Sequence, residues 1–366
     1  NARHVRAVRG GNNMLFGKPD LSRFTDNGDG TITDNVTGLM WQKSENERMD
    51  WFEGLKHCAN LKLAGYNDWR MPNIKELNTI LDLSYSDGWW YFKKFFPADG
   101  LKPPLLHYFS STVFENIYAW VTNFCFGYDG YYANKKAKLL VRAVRFVTPP
   151  KKTIEVFKLP DTGQVLCYDD EGNRILAPKN GEKFHGQDGS FAFNPMSFTK
   201  QRENGIALPD DAEWEHGLRM VKDNNTGLIW EVKSPIRNDI NHRCYRYNWC
   251  DAHEFIETLN KRNYGGFSDW RMPNRDELRS IVDYNDVSPS IDMKYFPNTL
   301  PDFYWSSNKN MGNPDLIWGI YFGYGCSIFY FNKLPYLVRA VRGGYNSCLL
   351  YTSDAADELD GVDLGG

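Results

Sequence analysis

The sequence predicts an α+β protein of two tandem modules, each with two helices and a short-stranded antiparallel sheet. Three observations carry this. The 366-residue chain repeats itself: TDNVTGLMWQ (33–42) returns as KDNNTGLIWE (222–231), GYNDWRMPNIKELNTILD (65–82) as GFSDWRMPNRDELRSIVD (266–283), and LLVRAVR (139–145) as YLVRAVR (336–342). A period above 100 residues is too long for a solenoid, so the copies are tandem domains. Helical spacing of apolar residues is confined to two stretches per copy. The remainder is short aromatic and β-branched runs broken by Gly and Asn, which describes an α+β module.

In chain order, DNGDGTITD (26–34) predicts a tight hairpin turn at Asp29-Gly30. Trp51, Leu55, Cys58 and Leu61 lie at helical spacing, and Trp249, Phe255, Ile256 and Leu259 form the matching stripe. A second helix starts after Pro72 and Pro273. Asn73 and Asn274 are its N-caps, and Glu76 and Glu277, three residues on, close a capping box. FFP (95–97) and YFSS (108–111), with their counterparts YFP (295–297) and YWSS (304–307), lead through short strands to the closing VRAVR.

The predicted boundaries follow. Residues 1–11, where RHVRAVR repeats the module ending, are the final strand of a truncated preceding module. Residues 12–148 are the first module, 149–154 a linker with Pro and Lys, and 155–344 the second module. Residues 345–366 hold five acids and no Lys or Arg, and their LLYTSDAADE string resembles translated sequencing-adapter read-through. They are expected to be disordered and without function.

A hydrophobic share of 42% with 24% charged residues excludes wholesale disorder. No run of 18 apolar residues exists, so no membrane span is expected. The net charge of −3 argues against nucleic acid as a partner. Aromatic residues reach 15%, more than a core of this size needs.

DNVTGLMW, the helix ending before GYNDWRMPN, and the AW–F–G string followed by VRAVR together resemble the Lcl C-terminal domain family. LPDTGQVLCYD (159–169) and GQDG (186–189) resemble the lead-in of that family. The resemblance spans nearly the whole chain, twice over. It implies a C-type-lectin-like fold in bacterial or phage surface proteins, extracellular or at the cell surface, often adhesins or binding modules. Some members are variable proteins of diversity-generating retroelements.

Catalysis is not expected. None of the seven histidines occupies the same position in both copies, so no acid–base site is replicated. Formylglycine-generating oxidases share the broad fold but need a reactive Cys pair, and Cys125 and Cys326 are not equivalent in the two copies. The repeated polar residues sit beside Trp, Pro and apolar positions, where charges persist only when paired. Trp41, Asp68, Trp69, Arg70, Glu76, Trp120, Arg142 and Arg145 are therefore assigned to a structural scaffold, with Trp230, Asp269, Trp270, Arg271, Glu277, Trp318, Arg339 and Arg342 in the second copy.

No metal or cofactor is expected. The 26–34 string has the look of a calcium loop but carries Gly28 at its third position and Thr37 at its twelfth. The seven cysteines include no CxxC, and Cys244 and Cys250 are candidates for a loop disulfide in an exported protein. LPDTG (159–163) matches a sortase string, but no hydrophobic span follows it, so it is a turn.

The aromatic surplus provides the functional expectation. AWVTNFCFG (119–127) aligns with IWGIYFGYG (317–325). One alternating face, Trp120, Thr122 and Phe124, matches Trp318, Ile320 and Phe322; the other shares nothing between copies. The matched face is expected to pack the core and the unmatched one to meet solvent. Asn123, Tyr128, Tyr131, Tyr132, Tyr321, Tyr324, Phe329 and Tyr330 are the expected contact residues, with SDGWWYF (86–92) adding Trp89, Trp90 and Tyr91. Such rigid tyrosine-rich surface suits a glycan or protein on another cell or surface. Two modules would add avidity. A sharper version has codons 119–136 and 317–334 diversified by a retroelement. The alternative is a spacer module of a surface fibre or phage tail.

Overall fold

The computed structural model describes residues 23–44, 46–81, 94–96, 106–147 and 158–343, without the side chains at 128, 130 and 131. The expected preceding strand (1–11), linker (149–154) and tail (345–366) lie outside the described residues, as do Trp89, Trp90 and Tyr91.

The first module runs β1 (Phe24–Asp26), β2 (Thr31–Asp34), β3 (Leu39–Gln42), α1 (Trp51–Asn60), α2 (Ile74–Asn78), β4 (His107–Phe114), β5 (Tyr118–Asn123), β6 (Tyr128–Asn134) and β7 (Val144–Phe146). A connecting stretch holds the small hairpin β8 (Cys167–Tyr168) and β9 (Arg174–Ile175). The second module repeats the plan: β10 (Phe198–Gln201), β11 (Met220–Asp223), β12 (Leu228–Glu231), α3 (Trp249–Lys261), α4 (Arg275–Ser280), β13 (Phe303–Asn310), β14 (Asn313–Tyr321), β15 (Cys326–Phe331) and β16 (Val341–Gly343). Each module has a four-stranded sheet, β1-β2-β3-β7 or β10-β11-β12-β16, and a three-stranded one, β4-β5-β6 or β13-β14-β15. Every strand pair is antiparallel. Mixed small sheets with few helices are the α+β architecture.

The repeated motifs now have physical meanings. The D-N-x-T-G string is the hairpin turn between β2 and β3 and between β11 and β12. Asp34 accepts from the Thr37 hydroxyl at 2.8 Å and Asp223 from Thr226 at 2.7 Å. The glycine that follows sits at φ 69° in one copy and 70° in the other, where a side chain would be strained. Asp29-Gly30 closes the β1–β2 turn, the Asp29 carboxylate accepting from the Thr31 amide and hydroxyl. The closing VRAVR returns to the opening sheet, with Val144 opposite Trp41 and Val341 opposite Trp230.

The DWRMPN segment fastens the second helix. Asn73 and Glu76 cap α2 reciprocally at 2.8 and 2.9 Å, and Asn274 and Glu277 cap α4 at 2.8 Å each way. Each capping glutamate also takes a two-pronged hydrogen bond from a guanidinium, Arg70 at 2.5 and 2.7 Å and Arg271 at 2.7 Å twice. Arg145 forks onto Asp68, and Arg342 onto Asp269, each with its ring partner, Tyr66 or Phe267, under the guanidinium. Arg142 donates to the Gln42 and Lys43 carbonyls, and Arg339 to the Glu231 carbonyl and Thr299 hydroxyl. Trp41, Trp69, Trp120, Trp230, Trp270 and Trp318 are all buried.

The stretch 158–196, which the sequence places at the head of the second module, packs on the first as a strap. Gln164 caps both the N–H and the carbonyl of Val113 on the edge strand β4, at 2.7 and 2.8 Å. Tyr168 and Leu166 join the cluster of Trp51, Leu55 and Phe109. Phe193 and Phe191 lie against the Arg70 guanidinium. Gly163 has φ 84° and passes so close to Asp283 that a Cβ would lie 2.3 Å from its carboxylate.

Replacing one partner of a buried ion pair strands the other charge, at about 3–5 kcal/mol. Glu76→Gln should lose stability of that order, measured by urea unfolding. Glu277→Gln should lose clearly less, because Arg271 is 34% exposed and water takes over part of its solvation. Equal losses would show that the pairing with Arg70 is not what holds the first module's helix.

Candidate functional site

The face expected to meet solvent does not. Val121, Asn123 and Cys125 are as buried as Trp120, Thr122 and Phe124. The cause is position: β5 is the central strand of its sheet, with one face on one core of its own module and the other running from that module's second core, at Phe124, to the second module, at Trp120. Val121 packs with Trp51 and Phe109. Trp120 shares a core with Leu278 and Tyr284 of the second copy, its ring 5.5 Å from that of Tyr284. Asn123 is thus a correction. At 1% exposure its carboxamide accepts from the Cys125 and Phe126 amides and lies 2.9 Å from the His107 ring, so it shapes the β5–β6 turn.

In the second copy Tyr321, Phe329 and Tyr330 are half-buried. Tyr330 packs on Phe303 and Tyr336, and Phe329 on Trp318. The backbones of Tyr128 and Tyr131 lie in β6; their side chains are outside the described ones. Tyr132 and Tyr324 remain open, at 43% and 52% exposure.

These two tyrosines come from different modules and meet at one place. The Tyr132 ring stacks on Phe114, centroids 4.2 Å apart and 25° from parallel. Tyr118 meets Tyr132 edge-on at 5.2 Å, and Tyr324 meets Phe114 edge-on at 6.0 Å. Tyr321 lies 5.7 Å from Tyr324. Three adjacent strands of the first module and the β14–β15 turn of the second thus form one aromatic ledge, floored by Trp120 and Tyr284.

A buried polar seam holds the two halves in place. Asp129 of β6 accepts from the Ser327 amide of β15 at 2.7 Å, and from the Ser327 hydroxyl. Its second oxygen lies 3.0 Å from the Arg279 guanidinium and 2.9 Å from the Asn78 amide. Arg275 donates to the Gly127 carbonyl at 2.7 Å, and both arginines bond Asp276. Lys75 donates to Asp161 of the strap and Ser280 of α4, both carbonyls at 2.9 Å. Asp129 and Ser327 are equivalent positions in the aligned repeats, so the modules meet face to face about a pseudo-twofold axis. Sequence reasoning missed this seam. Its signal was present in the mismatched helix positions, Ile74 against Arg275 and Asn78 against Arg279.

The electrostatics are those of a sealed joint. Burial pushes Lys75 down to about 8, against the opposing pull of Asp283, Asp223, Asp161 and Asp188. Burial pushes Asp188 up to about 6, although the Thr112 and Thr162 hydroxyls donate to it at 2.6 Å each. Burial also drives Lys135, which donates to the Asn116 carbonyl and sits over the Trp51 and Tyr168 rings, down to about 7. The Cys58 and Cys326 thiols rise to about 12, and Cys125 and Cys167 also rise, so none of these is a ready thiolate. Cys244 and Cys250 carry free, exposed thiols; the expected loop disulfide is not formed. Asp26 in the calcium-like string pairs with Lys43 at 2.6 Å. Among the described residues no group of three His, Cys, Asp or Glu side chains is placed to hold a metal ion. No described helix is long and apolar enough to cross a membrane.

The Lcl C-terminal domain family matches residues 30–145 and 219–342, more than half of the chain. The protein belongs to that family. Its two Lcl C-terminal domains are the two modules, and the strap at 158–196 lies between the matched regions. No curated protein matches the chain.

The seat of the strap on the first Lcl C-terminal domain is expected to weaken as pH rises, through Asp188 and its Thr112 and Thr162 partners. Asp188 has a folded pKa near 6 against 3.8 for the free group, so the folded state holds the proton more tightly. Its contribution to stability is therefore largest below about pH 4 and declines as pH rises to about 6. In Asp188→Asn this decline should vanish. The wild-type-minus-variant difference in urea midpoint should fall between pH 4 and 6; a flat difference would refute the assignment.

Proposed function

We propose that this is a non-enzymatic, adhesin-like binding protein of the cell surface or extracellular space, built on C-type-lectin-like modules. Its contact surface is the aromatic ledge. The observation that carries this reading is the pair Tyr132 and Tyr324, about half exposed yet packed against buried Phe114, the first by stacking and the second edge-on. Exposed rings held rigid offer contact area at small entropy cost, and their hydroxyls add directional hydrogen bonds. Rings exposed at the surface suit a sugar chain or a protein surface more than an enclosed small molecule. The raised thiol pKa values and the absence of a replicated acid–base site support binding without chemistry. Diversification across 119–136 and 317–334 is not part of this reading, because Asn123, Asp129 and Ser327 are buried within those windows.

The test is a printed glycan array together with a panel of whole bacterial and host cells, probed with labelled protein. The wild type should bind a subset, and Tyr132→Ala/Tyr324→Ala should lose at least about tenfold in apparent affinity, the scale of a central aromatic anchor. Unchanged binding by the double variant would remove the ledge. Binding to no glycan or cell by the wild type would favour the spacer reading instead.

A further inference from the structure

We infer that the ledge is one composite site per chain, and that Asp129 is the positioning residue that assembles it. This rests on the reading of the ledge as the contact surface. The sequence suggests two independent sites acting through avidity, whereas the rings divide between modules: Phe114, Tyr118 and Tyr132 on one side, Tyr321 and Tyr324 on the other. Neither module alone presents the whole surface.

Asp129 links both halves. It lies three residues before Tyr132 on β6, and its partner Ser327 lies three residues after Tyr324. The contacts of one carboxylate with the Ser327 amide and the Arg279 guanidinium therefore fix where the two tyrosines stand relative to each other. Charge balance makes the link specific. Arg275 and Arg279 face Asp276 and Asp129, all of them at most slightly exposed, so removing Asp129 leaves two buried guanidiniums to one carboxylate. A buried charge without its partner drives the joint toward water. A ligand touching both halves binds only the docked state, so its apparent affinity scales with the docked fraction, and bound ligand in turn holds the joint closed.

The test uses the full chain carrying Asp129→Ala, with amide hydrogen exchange and the array binding measured side by side. Exchange should rise in β6 and β15 while amides of β2, β3 and α1 keep their protection. Binding to the wild type's array glycans should fall at least tenfold although Tyr132 and Tyr324 are intact. Tyr324→Ala should lose the same binding without faster exchange in β15. Asp129→Asn, which keeps an acceptor for the Ser327 amide but not the charge facing Arg279, should give a smaller rise in exchange and a smaller loss of binding than Asp129→Ala, covering the case where the alanine variant fails to fold. A soluble form of the strongest array glycan should saturate at one per chain. Full binding by Asp129→Ala or Asp129→Asn with an opened joint, or saturation at two per chain, would each overturn the composite site while leaving the ledge itself standing. Only unchanged binding by the tyrosine variants would remove the ledge.

Discussion

Each module depends on one carboxylate that serves two masters. Glu76 and Glu277 close the N-terminus of a short helix and at the same time neutralise a guanidinium, buried in the first module and partly exposed in the second. A helix of five or six residues has little stability of its own. It persists here because its first turn is bolted to the arginine of DWR, and that arginine's backbone bridges to Val144 or Val341 of the closing strand. Helix start, interior charge and the last strand are thus one unit. This is why the DWRMPN and VRAVR strings recur together.

Much of this architecture was legible in the sequence. Capping boxes, the hairpin turn at Asp29-Gly30 and the paired arginines follow from local rules that hold whatever the surroundings. The contact surface was harder. The inference that unmatched positions face solvent assumes that only solvent tolerates mismatch. A second copy of the module tolerates it too, and demands it, because two surfaces about a pseudo-twofold axis must be complementary where identical charges would repel. Asn78 against Arg279 and Asp129 against Ser327 are such complements. Asn123 was misplaced for a related reason: strand alternation separates core from water only when one face of a sheet is free, and β5 has none.

The strap explains a second asymmetry. Its seat on the first module is apolar, with Val113 buried under Gln164 and Leu55 beneath Gly186. Among the described residues no strap covers the second module, and the matching positions carry the exposed Lys309 and His253. Lys135 and its counterpart Lys333 show the same division. The first is enclosed by Trp51 and Tyr168 of module and strap; the second is exposed. Identical folds thus differ where their coverings differ, and composition alone does not reveal which copy is covered.

In both modules the first and last strands of the repeat belong to one sheet, since β7 lies beside β3 and β16 beside β12. Entry and exit of the chain are therefore the two edges of a single four-stranded sheet. A unit wired in this way can be duplicated or spliced into a longer array without rethreading its interior. What each added copy must renegotiate is the face it turns toward its sibling, so new members of such an array diverge first at their mutual boundary and last in the turns and bolts that define the unit.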